Sequence, residues 1–230
     1  MLTCVIKFFN NLYNKLSSKS ISLLKDKRYK NIFLTGSSTT IFKGLTMILS
    51  FIAVPLTLKY LGDERYGLWM SISAALVVMS FADLGLGNGL LNAISRSDGK
   101  SEKIMAQKAT SSTFFLLLFV SLFLLILTLI IYPNLNISKF FNISTELAKR
   151  ETGPTFLVLA ILLIVNLPLG IFQRILEGYQ EGYKYQFFLL IGNLIGFSLL
   201  FLGIYLQFGM PFLVFSISVG NLIAGILAGI

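Results

Sequence analysis

The sequence predicts an all-α fold: a polytopic membrane helix bundle. Three observations point to it. Hydrophobic residues make up 55% of the 230 and charged residues only 13%, and the mean hydropathy is +0.80. A soluble domain of this length must cover its surface with polar groups, and too few are available here. The apolar residues also gather into segments of roughly 20, the length a helix needs to cross a bilayer core. Finally, the chain has no histidine and one cysteine, Cys4. That composition offers no His-based triad, no internal disulfide and no zinc site. Phosphate-binding glycine loops and nucleophile-elbow motifs are also missing from the sequence. Neither a metal nor a cofactor is expected. The net charge of +9 sits beside hydrophobic spans, which fits membrane orientation and gives no reason to expect a nucleic-acid partner.

Two regions follow from the pattern. Residues 1–30 read as a basic amphipathic cytoplasmic segment. Leu2, Val5, Ile6, Phe9, Leu12, Tyr13 and Leu16 recur at helical spacing, with Lys7, Asn10, Asn11, Asn14 and Lys15 opposite. That arrangement suits a helix lying on a membrane surface. Residues 31–230 read as a transmembrane lobe of six spans: 35–60, 66–84 (continued by a glycine-rich half-helix to 95), 109–132, 154–172, 187–207 and 211–230. Tight turns are expected at Asp63 to Arg65 and at Phe208 to Met210. Pro133 and Pro154 punctuate the longest loop between spans. The sequence stops at Ile230 in a hydrophobic segment with no polar tail, so it reads as cut short after span 6.

Loop charge gives orientation. Thirteen basic residues fall in the tail and in the loops after spans 2 and 4, against five (Lys59, Arg65, Lys139, Lys149 and Arg150) on the other side. The richer side is expected to be cytoplasmic, with both termini there.

Span 1 carries the most information. Thr39, Lys43, Thr46, Ser50 and Thr57 fall within about 60° of one another at about 100° per residue. Burying a lysine at mid-helix costs ~3 kcal/mol or more on insertion scales, so this stripe should not face lipid. It either lines a water-filled cavity or forms a hydrogen-bonded helix seam, with Lys43 snorkelling to the headgroups. Asp83 is the one acid inside a span, in the same inner half of the membrane as Lys43. Pairing would lower the cost of burying both. The stretch after it, from Gly85 through Asn88 to Asn92, holds three alternating glycines. Each weakens a helix by roughly 1 kcal/mol relative to alanine, a loosening tolerated where backbone packs on protein or lines a cavity. Gly192 with Gly196, and Ser216 with Gly220, have the spacing of helix-packing seams. Asn166 with Pro168 suggests a kink, and residues 173–185 mix tyrosines with both charge signs, as an interface loop does.

Three stretches carry a resemblance. Leu61-Gly62-Asp63-Glu64-Arg65-Tyr66-Gly67-Leu68-Trp69, then Phe81-Ala82-Asp83-Leu84-Gly85-Leu86-Gly87, then Ile175-Leu176-Glu177-Gly178-Tyr179-Gln180 resemble the N-terminal half of polysaccharide (O-antigen type, Wzx) flippases. These belong to the multidrug/oligosaccharidyl-lipid/polysaccharide exporter superfamily. The resemblance implies one six-helix lobe of a twelve-helix exporter fold with a central cationic cavity. It also implies flipping of an undecaprenyl-pyrophosphate-linked oligosaccharide across a bacterial inner membrane, coupled to an ion gradient. On that reading the substrate-contacting candidates are Lys43, Thr39, Thr46, Ser50, Asn88 and Asn92, and Asp83 is a candidate ion pair or coupling residue. The implied partners are the bilayer, the lipid-linked oligosaccharide and a second six-helix lobe. Other readings stay open: a multidrug or peptidoglycan-precursor exporter, a membrane-embedded polysaccharide enzyme, or an inactive half-transporter.

Overall fold

A computed structural model describes residues 27–77, 83–135, 137–141 and 143–230. The amphipathic segment expected over residues 1–30 falls almost wholly outside them. The helices are α1 (Lys27–Val77), α2 (Leu86–Lys100), α3 (Lys103–Ile131), the short α4 (Ile137–Phe140), α5 (Glu146–Gly178), α6 (Gly182–Tyr205) and α7 (Met210–Gly229). No strand occurs among the described residues. Five helical stretches are long and apolar enough to cross a membrane, the first of them Thr35–Ala74.

That first stretch contains a reversal. Gly62 has φ 76° and ψ 169°, outside the helical region, in the middle of α1. Thr46 and Met70 would stand roughly 36 Å apart on a straight helix, yet both line one cavity of about 250 Å³. The chain therefore turns back at Gly62, and the first two expected spans are the two legs of α1. Glycine suits this position because a positive φ costs it no Cβ clash. The turn is made by Gly62 itself, and Asp63 to Arg65 already belong to the second leg.

The second leg is separated from α2 by a break at Leu84 and Gly85. Helix is described to Val77, and Asp83 lies beyond it in a single tight turn. Leu84 and Gly85 both have positive φ (50° and 78°), which no continuing α-helix allows. Asp83 Oδ1 accepts a hydrogen bond from the Gly85 N–H at 2.9 Å. Asp83 is thus a residue of the helix break, and α2 is a separate helix.

Pro154 also departs from expectation: it lies inside α5, which begins at Glu146. The start is set by α1, because Glu64 Oε1 accepts from the backbone N–H groups of Ser144 (2.6 Å) and Thr145 (3.2 Å). These groups at the mouth of a helix need an acceptor. Further along, Pro168 has no N–H to give the Ile164 carbonyl. The buried Ser121 hydroxyl of α3 donates to that carbonyl instead, at 3.1 Å.

Helices α6 and α7 pack backbone to backbone. A Cβ on Gly192 would overlap the Gly220 carbonyl, and one on Gly196 would overlap the Ser216 carbonyl. The seam read from residue spacing is thus realised. The main core joins α1, α5, α6 and α7 through Leu61, Ile72, Ala160, Leu200 and Leu213, and Leu90, Ile94 and Ile171 hold α2 against α5. Outward faces stay apolar. On α3, Phe115, Phe119, Phe123, Ile126 and Ile130 are exposed, as suits a helix whose solvent is lipid.

The connections collect at two ends. At one, Tyr60 donates to the Phe208 carbonyl at 2.9 Å, and Arg65 meets Glu151 through Nε at 2.8 Å and Nη2 at 2.6 Å. At the other, Thr35 Oγ1 accepts from the Tyr183 N–H at 3.3 Å, and Ser95 meets the Gly178 carbonyl at 3.4 Å.

The glycines provide a test. Gly192→Val should lower the melting temperature by several degrees or abolish folded yield, because the obstructing atom is backbone and overpacking costs ~1–3 kcal/mol. Gly89→Ala, which meets open space, should be neutral or stabilising by about 1 kcal/mol. Thermal unfolding of both variants in detergent checks the pair.

Candidate functional site

A cavity of about 590 Å³ opens between the first leg of α1 and helices α5, α6 and α7. Four of the candidate residues, Thr39, Lys43, Thr46 and Ser50, line it together. Their spacing puts them on one face of α1, and packing turns that face towards α6.

The hydroxyls of the stripe are already engaged. Thr39 donates to the Thr35 carbonyl at 2.7 Å, Thr46 to the Phe42 carbonyl at 2.8 Å and Ser50 to the Thr46 carbonyl at 3.0 Å. Such i−4 bonds satisfy the hydroxyl hydrogen without a neighbour and leave oxygen lone pairs facing the cavity. Thr57 is only 1% exposed and bonds to the Ala53 carbonyl at 2.7 Å.

Lys43 is exposed to the cavity, and no described residue pairs with it by a hydrogen bond or salt bridge. The one carboxylate on the lining, Glu177, is occupied. Gln173 Nε2 donates to its Oε1 at 2.8 Å, and Arg174 Nη1 to its Oε2 at 3.1 Å. Arg174 offsets the charge of Glu177 from outside the cavity, so Lys43 presents a positive charge without an opposing ion. An anion entering this space would find one ammonium group together with the amides of Gln186, Asn193 and Asn221.

Asp83 sits elsewhere. It lines a separate cavity of about 200 Å³ with Gly87, Asn166, Gln173 and Arg174, and no ion pair joins it to Lys43. Its basic neighbour is Arg174. A Cβ on Gly87 would lie 3.2 Å from Arg174 Nε and 3.3 Å from Asp83 Oδ2, so the missing side chain lets both charged groups approach α2. Asn88 and Asn92 are exposed on α2 and line none of these cavities.

Several lining residues are not singled out by sequence reasoning. Residues 173–185 look like an interface loop, yet Gln173 and Glu177 belong to the last turns of α5, and only 179–181 form the connection. The signal was the 173/177 spacing on one helical face, matched on α6 by Gln186 and Asn193. Asn193 and Asn221 look isolated in sequence because the α1 face across the cavity from them is far away along the chain.

The fold and cavity together define a polytopic α-helical membrane protein with a polar chamber among its helices. Comparison with known proteins narrows the class. The chain is similar to a Salmonella typhi protein named "Putative O-antigen transporter", with 26% identity over 166 residues. The match covers 71% of this chain and 37% of that protein, so the chain spans little more than a third of the curated relative it matches. The resemblance read from the sequence motifs agrees with this similarity. No protein-family model and no solved structure matches the chain.

Accessibility of the chamber is testable by cysteine labelling in a Cys4→Ser background. Cysteines at Lys43, Gln186 and Asn221 should react with a small water-soluble thiol reagent. A cysteine at the fully buried Leu200 should react at least tenfold more slowly. Equal, slow labelling at all four positions would show that the chamber is closed to water.

Proposed function

We propose that the chain forms one lobe of a flippase that moves an undecaprenyl-pyrophosphate-linked oligosaccharide from the cytoplasmic to the outer leaflet of a bacterial inner membrane. The observation that carries this reading is the unpaired Lys43 ammonium in a polar chamber, in a chain similar to a protein named as an O-antigen transporter. A diphosphate is the anion such a site suits. Charge-assisted hydrogen bonds contribute about 1.5–3 kcal/mol each, and amides and hydroxyls on the same wall supply further contacts. Binding and release without covalent chemistry is all that the lining is asked to do.

The same reading assigns a second lobe. Alternating access needs two bundles rocking about a site between them, and the chamber here is walled by one bundle. A facing lobe would complete the cation-lined space and shield the polar stripe from lipid. Orientation follows from charge. The end holding Arg96, Lys100, Lys103, Lys108, Arg174 and Lys184 is the basic-rich one and faces the cytoplasm.

Lys43→Ala, in the complete transporter, should lower surface polysaccharide at least tenfold at unchanged protein level, and Lys43→Arg should retain more. Wild-type polysaccharide from the alanine variant would exclude a substrate role for this lysine. Loss of the protein from the membrane would point to a structural one. For topology, Ser138→Cys should label from outside intact cells and Lys100→Cys only after permeabilisation. The reverse pattern would invert the orientation.

A further inference from the structure

The chamber does not end at Ser50. The cavity of about 250 Å³ between the legs of α1 shares Thr46, Ser50 and Asn193 with it. Its remaining wall includes Tyr66, Trp69 and Phe197, and it has no charged residue. The two spaces differ in chemistry: one offers an ammonium group, the other aromatic rings and neutral polar groups.

Trp69 is the decisive residue. It is only 8% exposed, yet no described group accepts a hydrogen bond from its indole N–H. Among the described residues no fully enclosed side-chain nitrogen lacks a partner, so Nε1 is not sealed in protein, and the cavity that Trp69 lines is where a partner could reach it. Tyr66 stands edge-on to it, with ring centroids 5.5 Å apart and planes at 83°. The Asn193 amide, on the wall common to both spaces, also has no hydrogen-bond partner among the described residues. The Ser50 hydroxyl gives its hydrogen to Thr46 and keeps its oxygen as an acceptor.

A hydrocarbon tail in this cavity would leave the indole N–H and the Asn193 amide unsatisfied, at a cost of ~1–3 kcal/mol for each group. An anion would find no cation. A sugar ring satisfies both demands: its C–H face packs on an aromatic ring, and its hydroxyls donate and accept at the edge. Ser50 lies about 10 Å along α1 from Lys43, so a glycan attached to an anion at Lys43 reaches the second space. We infer that the cavity at Trp69, Tyr66 and Asn193 is a sugar-ring subsite for the saccharide nearest the diphosphate. The pairing with Lys43 rests on the flippase reading. The affinity for a sugar ring rests on the cavity alone.

Trp69 is the only tryptophan in the chain, so its fluorescence reports this site. The purified protein is titrated with a short-chain prenyl diphosphate carrying a hexose disaccharide, with the same prenyl diphosphate lacking sugar, and with the free disaccharide. The glycan-bearing lipid should change Trp69 emission saturably. The bare diphosphate lipid should bind, by equilibrium dialysis, without that change. The free disaccharide should produce the change at higher concentration. Tyr66→Leu and Phe197→Leu, which line the second space and not the Lys43 chamber, should each weaken the glycan lipid severalfold and leave the bare lipid unaffected, while Lys43→Ala weakens both lipids. An equal emission change with the bare lipid would overturn the subsite, as would glycan affinity, by equilibrium dialysis, unmoved in folded Tyr66→Leu and Phe197→Leu. If Lys43→Ala weakens neither lipid but the free disaccharide still alters emission, the diphosphate reading fails and the sugar subsite stands.

Discussion

Hydrocarbon offers no partner to a peptide N–H or C=O, and that constraint organises this chain. Each such group left bare in lipid costs several kcal/mol, so the spans are helical and every interruption needs a local remedy. The remedies can be named. Gly62 reverses α1 at one end of the bundle. Pro168 leaves the Ile164 carbonyl free, and Ser121 of a neighbouring helix takes it. The break before α2 is closed by the Asp83 carboxylate on the Gly85 N–H. The break in the middle of α5 is thus bridged by α3, which ties two helices together through one hydroxyl.

The same constraint explains where polar side chains appear. In a bundle whose outer faces are phenylalanine, leucine and isoleucine, a lysine and a row of hydroxyls must turn inward. The hydroxyls of Thr39, Thr46 and Ser50 meet the constraint within their own helix, and their presence alone would indicate nothing more than a tolerated polar stripe. Lys43 has no such internal solution. Its charge is left for something that enters the chamber, while Glu177 opposite is held by Gln173 and Arg174. Unequal pairing of the two charges gives the chamber its sign.

Small residues do a different job. Without a hydrophobic drive between helices in lipid, close packing supplies the attraction. The Gly192–Gly220 and Gly196–Ser216 contacts bring the α6 and α7 backbones together, and that approach sets Asn193 and Asn221 beside the chamber. Gly87 works in the same way on α2, admitting Arg174 and Asp83. The glycines position the polar groups without touching a ligand themselves.

The helical class and the polar face of span 1 were legible in the sequence, because both rest on local rules: span length, hydropathy and the helical repeat. So was the α6–α7 seam, since its spacing is periodic. The register between distant helices was not. Span counting suggests that Asp83 could pair with Lys43, yet the turn at Leu84 and Gly85 and the packing of α2 on α5 place its carboxylate beside Arg174. Asn88 and Asn92 share the glycine-rich stretch, but α2 packs on its leucine and isoleucine face and leaves both exposed. Gln186, Asn193 and Asn221 each look like a lone amide in sequence and become a wall only through the packing of α1, α6 and α7. Hydropathy decides that a residue must avoid lipid. Which other residue it then faces depends on side-chain packing between segments far apart in the chain, and only the tertiary structure holds that information.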